Sequence, residues 1–202
     1  MLVLDHIAVS AGRLAEGADV TERALGVPLQ PGGEHPHFGT HNRLLGLGAE
    51  YLEVIAVDPA APSLPHKRWF HLDAFSGPPR LTNWIVRTAS LEAALETLGP
   101  GYGQPVALSR GDLCWRMAVP ESGLLPHDNC APAVIEWETE PPAARLTQRD
   151  CTLSSLTIRH PKASALAEAL APLIDDARLS FETGMPGLTA RIATPAGERV
   201  LA

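Results

Sequence analysis

The sequence predicts an α+β fold made of two copies of one β-α-β-β-β unit. Three observations carry that expectation. Leu4-Asp5-His6-Ile7-Ala8-Val9 is answered by Leu81-Thr82-Asn83-Trp84-Ile85-Val86, and Tyr51-Leu52-Glu53-Val54-Ile55 is answered by Val134-Ile135-Glu136-Trp137. Between each opening and closing strand pattern lie one amphipathic helix and a hairpin. A proline-bearing stretch then separates the two copies.

The first strand alternates, with Leu2, Leu4, His6 and Ala8 on one face and Val3, Ile7 and Val9 on the other. The spacing predicts a helix from Leu14 to Leu25, stopped by Gly26 with Pro28 just beyond. Gly32 to Gly39 reads as a turn-rich segment, Thr40 to Leu47 as a strand, Gly48 to Glu50 as a reversal, and Tyr51 to Val57 as the closing strand, so residues 1–57 form the first module.

Residues 58–80 hold five prolines, Pro59, Pro62, Pro65, Pro78 and Pro79, a density that opposes regular structure and marks a linker. Trp69 and Phe70 within it imply that the linker packs against something. The second module spans 81–140. It has a strand at Asn83 to Thr88, a helix at Leu91 to Leu98 with Ser90 as N-cap, and strands near Val106 to Ser109, Leu113 to Val119 and Ala133 to Trp137. After a break at Thr139 to Asp150, residues 151–202 begin the pattern again. Here the reading gives a strand around Leu153 to Ile158, a helix from Ala163 to Leu173, a strand from Leu188 to Thr194, and a Pro195-Ala196-Gly197 turn into Arg199 to Leu201. The expectation is a third, partial repeat, ending where its final strand would fall.

Bulk properties narrow the function. With 202 residues, 45% hydrophobic and 19% charged, the chain can bury a substantial core. Sixteen basic against 23 acidic residues give a net charge of -7, without a Lys/Arg cluster that could track phosphates, so nucleic acid is excluded as a partner. No stretch approaches the ~20 apolar residues that cross a bilayer, and no leader pattern opens the chain. Cys114, Cys130 and Cys151 are odd in number and lack CxxC spacing, which argues against a disulfide framework or a thiolate zinc site and for a reducing cytoplasm. No P-loop, Gly-x-Gly-x-x-Gly or Gly-x-Ser-x-Gly pattern occurs, so neither a nucleotide cradle nor a serine-hydrolase elbow is expected.

The polar residues inside the apolar strands carry the chemistry. His6 lies between Leu4 and Ala8, and Glu53 shares a face with Tyr51 and Ile55; a carboxylate on such a face is costly unless a cation or hydrogen bonds compensate it. One imidazole with two carboxylates, Glu53 and Glu136, suits a divalent ion with open positions such as manganese, iron, nickel or zinc. Each residue alone also fits a structural role, His6 in the core and Glu53 on a half-exposed sheet.

The span from Leu4 to Glu138 resembles the vicinal oxygen chelate superfamily (glyoxalase, bleomycin resistance protein and dioxygenase). Gly39-Thr40-His41-Asn42 and Tyr51-Leu52-Glu53-Val54-Ile55 resemble its glyoxalase-like domain branch. That resemblance implies paired modules forming a partly closed barrel, with metal ligands on the first and last strands of each. It assigns His6, Glu53 and Glu136 to ligand positions, with Glu53 or Glu136 also serving as the catalytic base, and it leaves Asn83, a weak ligand, in the fourth. His41, Asn42, Asn83 and His127 are the candidate substrate-binding residues. The expected activity is that of a small-molecule metalloenzyme, an isomerase or lyase chelating adjacent substrate oxygens, because an oxygenase would need a second histidine. The alternative is a metal-free protein that binds or sequesters a small ligand on the same fold. Exposed sheet edges would also allow a homodimer.

Overall fold

The computed structural model describes residues 1–202. Twelve strands and three helices follow in the order β1 (Val3–Ala11), α1 (Leu14–Leu25), β2 (Gln30–His35), β3 (Thr40–Gly46), β4 (Tyr51–Val57), β5 (Arg80–Arg87), α2 (Leu91–Leu98), β6 (Gln104–Arg110), β7 (Leu113–Val119), β8 (Ala133–Trp137), β9 (Thr152–Arg159), α3 (Ala163–Leu170), β10 (Leu179–Glu182), β11 (Gly187–Thr194) and β12 (Gly197–Leu201). Eight strands make one curled half-barrel sheet in the order β2-β3-β4-β1-β5-β8-β7-β6. The order mirrors itself about the centre. In each half the opening strand pairs parallel with the closing strand, and β1 meets β5 antiparallel at the seam.

Local signals explain the elements. Gly26 ends α1 in the left-handed region (φ 70°), its N–H donating to the Glu22 carbonyl, and the Ser90 side chain accepts from the Ala93 N–H to start α2. Gly17 lets α1 lie close on the sheet, because a Cβ there would sit 2.6 Å from the Ala11 side chain and 2.8 Å from that of Val54. The segment read as a turn before Thr40 contains a strand, β2. It is an edge strand with a register shift between Pro31 and Glu34, which is where proline and glycine are tolerated in a sheet.

The C-terminal segment reproduces the strand-helix opening and then wires differently. Its four strands form a separate sheet in the order β10-β9-β11-β12, and β10 is a strand that the sequence pattern did not reveal. This sheet lies behind the seam: Trp84 of β5 meets Phe181 of β10 at 6.5 Å, edge to face, and the Leu81 N–H donates to the Ala202 carbonyl. One continuous core runs through both sheets. No helix is long and apolar enough to cross a membrane.

The proline-bearing linker folds over the concave side of the large sheet. Its turn at Trp69–Ala74 places Phe70 (φ 57°) and His71 (φ 56°) in the left-handed region, unusual for such residues. It is latched by the His71 N–H donating to the Gly123 carbonyl (2.8 Å) and by the Asn129 side-chain amide donating to the Phe70 carbonyl (3.0 Å). Gly123 (φ 74°) has no room for a side chain, since a Cβ would lie 1.9 Å from the Arg68 carbonyl oxygen. Gly123→Ala should therefore cost about 2 to 3 kcal/mol and free the linker. Urea denaturation should show the loss of stability, and hydrogen exchange should show faster amide exchange across residues 69–74.

Candidate active site

A β-bulge creates the site. Across a regular strand Asp5 and His6 would face opposite ways, but the register of β1 against β5 slips between Leu4 and His6, and both side chains become buried on the concave side. The His6 Nδ1–H donates to Asp5 Oδ1 at 2.6 Å, and the Trp137 indole N–H donates to Asp5 Oδ2 at 3.0 Å. Burial would raise the Asp5 carboxyl, yet the His6 and Trp137 hydrogen bonds and the nearby Arg87 charge hold it below its ordinary value. The ring of His6 stacks on Tyr51 with centroids 4.3 Å apart. Burial, with the Asp5 and Glu53 charges, holds the Tyr51 phenol well above its usual range and keeps it protonated.

Glu53 projects from β4 onto the same face, where its register partner on β1 is the small Ala8. The Asn42 side-chain amide donates to Glu53 Oε1. Asn42 Oδ1 in turn accepts from the Gly33 N–H (2.8 Å) and from Arg110 Nη1 (3.2 Å). Gly32 makes room for this amide, because a Cβ there would lie 1.9 Å from Asn42 Oδ1. Arg110 Nη1 also donates to His35 Nε2 at 3.1 Å, and His35 Nδ1 donates to Thr40 Oγ1 at 3.1 Å. Burial and the Arg110 charge push the His35 imidazole down to about 3, so it stands neutral beside a cation.

With Asp5 holding Nδ1 and Asn42 holding Oε1, His6 Nε2 and Glu53 Oε2 are left facing each other at 3.7 Å, both buried and too far apart to hydrogen-bond. They border a cavity of about 30 Å³ walled by Trp69, Phe70, Trp115, Met117 and Trp137, with Arg110 and His35 on its side. A space of that size holds about one water, and the linker aromatics close it.

Of the sequence-predicted residues, the structure brings His6, Glu53 and Asn42 together. Glu136 is a correction. Its neighbours Ile135 and Trp137 line the cavity, so Glu136 turns to the opposite face, where it accepts from the Leu91 N–H (2.6 Å) at the start of α2 and from Arg116 Nη2 (2.8 Å). The position equivalent to Glu53 is Ala133: Ala8, two residues after His6, pairs with Glu53, whereas Ile85, two residues after Asn83, pairs with Ala133.

His41 also faces away from the cavity, because Asn42, its neighbour on β3, faces in. His127 lies outside, in a loop, edge-on to His160 at 5.0 Å. Asn83 is fully buried on β5 in register with Ala8, both of its amide atoms lack partners, and it does not line the cavity. Asp5, His35 and Arg110 were not among the residues singled out from sequence.

The divalent centre implied by the resemblance needs three or four converging ligands. Two imidazoles, His6 and His35, and one carboxylate, Glu53, line the cavity; Asp5 is engaged by His6 Nδ1, the Arg110 guanidinium shares the cavity and binds His35 Nε2, and no three His, Cys, Asp or Glu side chains converge in a way that could hold a metal ion. The residues present do not fit a manganese, iron, nickel or zinc centre of that kind.

A family model described as "Glyoxalase-like domain" matches residues 4–174. No curated protein sequence matches the chain. Among solved structures, a hypothetical protein from Staphylococcus aureus is 14% identical, with a TM-score of 0.64 over 93% of this chain and 88% of that one, and shares the fold. Two more distant likenesses are methylmalonyl-CoA epimerase from Mycobacterium tuberculosis (19% identical, TM-score 0.43, 71% of this chain and 91% of that one) and a variant of the Streptomyces coelicolor enzyme (14%, 0.46, 69% and 100%).

Two measurements follow from this geometry. Because the folded His35 value lies below the ordinary 6.5, the unfolded chain takes up the proton first; stability is complete above pH 6.5 and falls toward pH 3 by about 1.4 kcal/mol per unit. Between pH 7 and 5 the wild type should lose about 2 kcal/mol more than His35→Gln in denaturant titrations. Glu136→Gln should lower stability by about 1 to 2 kcal/mol, through the weakened Leu91 and Arg116 hydrogen bonds, while leaving the cavity's ligand affinity unchanged by calorimetry.

Proposed function

The chain belongs to the glyoxalase-like domain family of the vicinal oxygen chelate superfamily, and on that premise we propose that it is a small-molecule enzyme of the isomerase or lyase type. In this reading His6 and Glu53 move a proton on a substrate that carries adjacent oxygens. The observation that carries it is the pair of atoms without protein partners, His6 Nε2 and Glu53 Oε2, buried and facing each other at 3.7 Å. A substrate atom seated beside this pair can reach both an acid and a base.

The chemistry runs on side chains. Trp69 and Phe70 move aside to admit the substrate and then exclude water. Glu53 Oε2 takes the proton from a carbon next to a substrate carbonyl, and the electron pair of the broken C–H bond moves onto the carbonyl oxygen. Arg110, whose hydrogen-bond partners are the neutral His35 and Asn42, supplies the positive charge that meets the resulting enolate. His6, oriented by Asp5, returns a proton from Nε2, to carbon for isomerisation or to a departing oxygen for elimination. The pair then resets by passing a proton from Glu53 to His6.

A binding protein that sequesters its ligand without turnover would use the same cavity and the same Arg110, but would exchange no substrate hydrogen. The test is exchange of carbon-bound hydrogen with solvent deuterium, followed by NMR across a panel of small 2-oxo and 2-hydroxy carboxylates. Wild type should label at least one of them, with Glu53→Gln slower by about 10² or more and Glu136→Gln within about twofold of wild type. Binding of a panel member without any labelling would favour the sequestering protein; equal labelling by wild type and Glu53→Gln would remove Glu53 from its role.

A further inference from the structure

A second cavity lies on the far side of the linker. It is a groove of about 530 Å³, bounded by the linker turn, the start of β5, the loop before β8 and the β9 and β11 strands of the C-terminal sheet. It therefore depends on segments outside the two duplicated modules. Its volume falls in the range of small-molecule sites. The floor is apolar, with buried Phe70, Leu81, Cys130 and Leu188, and the exposed Leu124 stands at its rim.

Two cations line this apolar floor, and both are held in place by neutral groups. Arg80 stacks on the Phe75 ring at 4.5 Å and donates to the carbonyls of Ser76 (2.8 Å) and Pro78 (3.3 Å). Arg159 donates from Nη2 to the Thr189 hydroxyl at 3.0 Å. Neither takes part in any of the chain's ion pairs, although the chain carries 23 acidic residues against 16 basic ones. The one acidic side chain in the groove, Asp128, is turned to His160 at 3.2 Å. Two pre-positioned guanidiniums that make no ion pair, above an apolar floor, complement a ligand that is anionic at one end and apolar in its body.

We propose that this groove is a binding site for a small organic anion with an apolar body. Phe70 lines both the groove and the His6–Glu53 cavity, so an anion bound in the groove adjoins a residue that also closes that cavity. The site stands whether or not His6 and Glu53 turn a substrate over.

The probe is 8-anilinonaphthalene-1-sulfonate, an aromatic anion, compared with the uncharged N-phenyl-1-naphthylamine, both followed by fluorescence on the full chain. Expected are one saturable sulfonate site per chain, at least tenfold weaker binding of the uncharged amine, and at least tenfold weaker sulfonate binding in Arg159→Gln at unchanged melting temperature. Arg80 is exposed, so Arg80→Gln serves as the second variant should Arg159→Gln unfold, with a weakening of threefold or more. Absence of a saturable site, equal binding of the amine, or wild-type affinity in the folded arginine variants would overturn the proposal.

Discussion

The antiparallel seam between β1 and β5 is the constraint on which the molecule turns. It joins the two modules into one sheet, fixes which residues face the concave side, and presents its other face to the C-terminal sheet through Trp84. Residues along it have no solvated side to turn to: Ile7, Ala8, Trp84, Ile85 and Val86 are at most 1% exposed. A strand buried on both faces tolerates few polar side chains, and one left without a partner, as Asn83 is, carries a desolvation cost. Asp5 and His6 avoid that cost by pairing with each other and with Trp137, at the first of two points where the register of the seam slips.

From there a chain of polar contacts crosses the half-barrel. Asp5 holds His6, His6 faces Glu53, Glu53 is held by Asn42, and Asn42 and His35 are held by Arg110 at the far edge. Arg110 reaches from β6 to side chains on β2 and β3, so the two edges of the sheet are drawn toward each other by the same guanidinium that charges the cavity. Neutral partners around it matter. A carboxylate placed against Arg110 would cancel its field, whereas an amide and an unprotonated imidazole fix its position and leave its charge available.

Much of the fold was legible because it is written in local chemistry. Helix ends at Gly26 and Ser90, apolar strand runs and the proline-bearing linker all act within a few residues of themselves. β2 escaped notice because Pro31-Gly32-Gly33 carries the letters of a turn; only the neighbouring strand shows that Gly32 is there to admit the Asn42 amide. Glu136 misled because aligning the closing strands by likeness of residues is off by three positions from their register, and an odd offset in a strand reverses the face. Asp5 and Arg110 were out of reach for a different reason. One depends on a bulge and the other on the curl of the whole sheet, and neither leaves a mark at its own position.

The linker turn has a consequence for how the cavity is governed. Holding Phe70 and His71 in left-handed conformations costs on the order of 1 to 3 kcal/mol each, so the shut form is spring-loaded and persists only while Asn129 and Gly123 keep hold of it. Any opening of the turn would release that stored energy while uncovering Trp69 and Phe70, two contributions of opposite sign. The strain held in the turn thus offsets part of what the burial of Trp69 and Phe70 contributes to keeping the cavity covered.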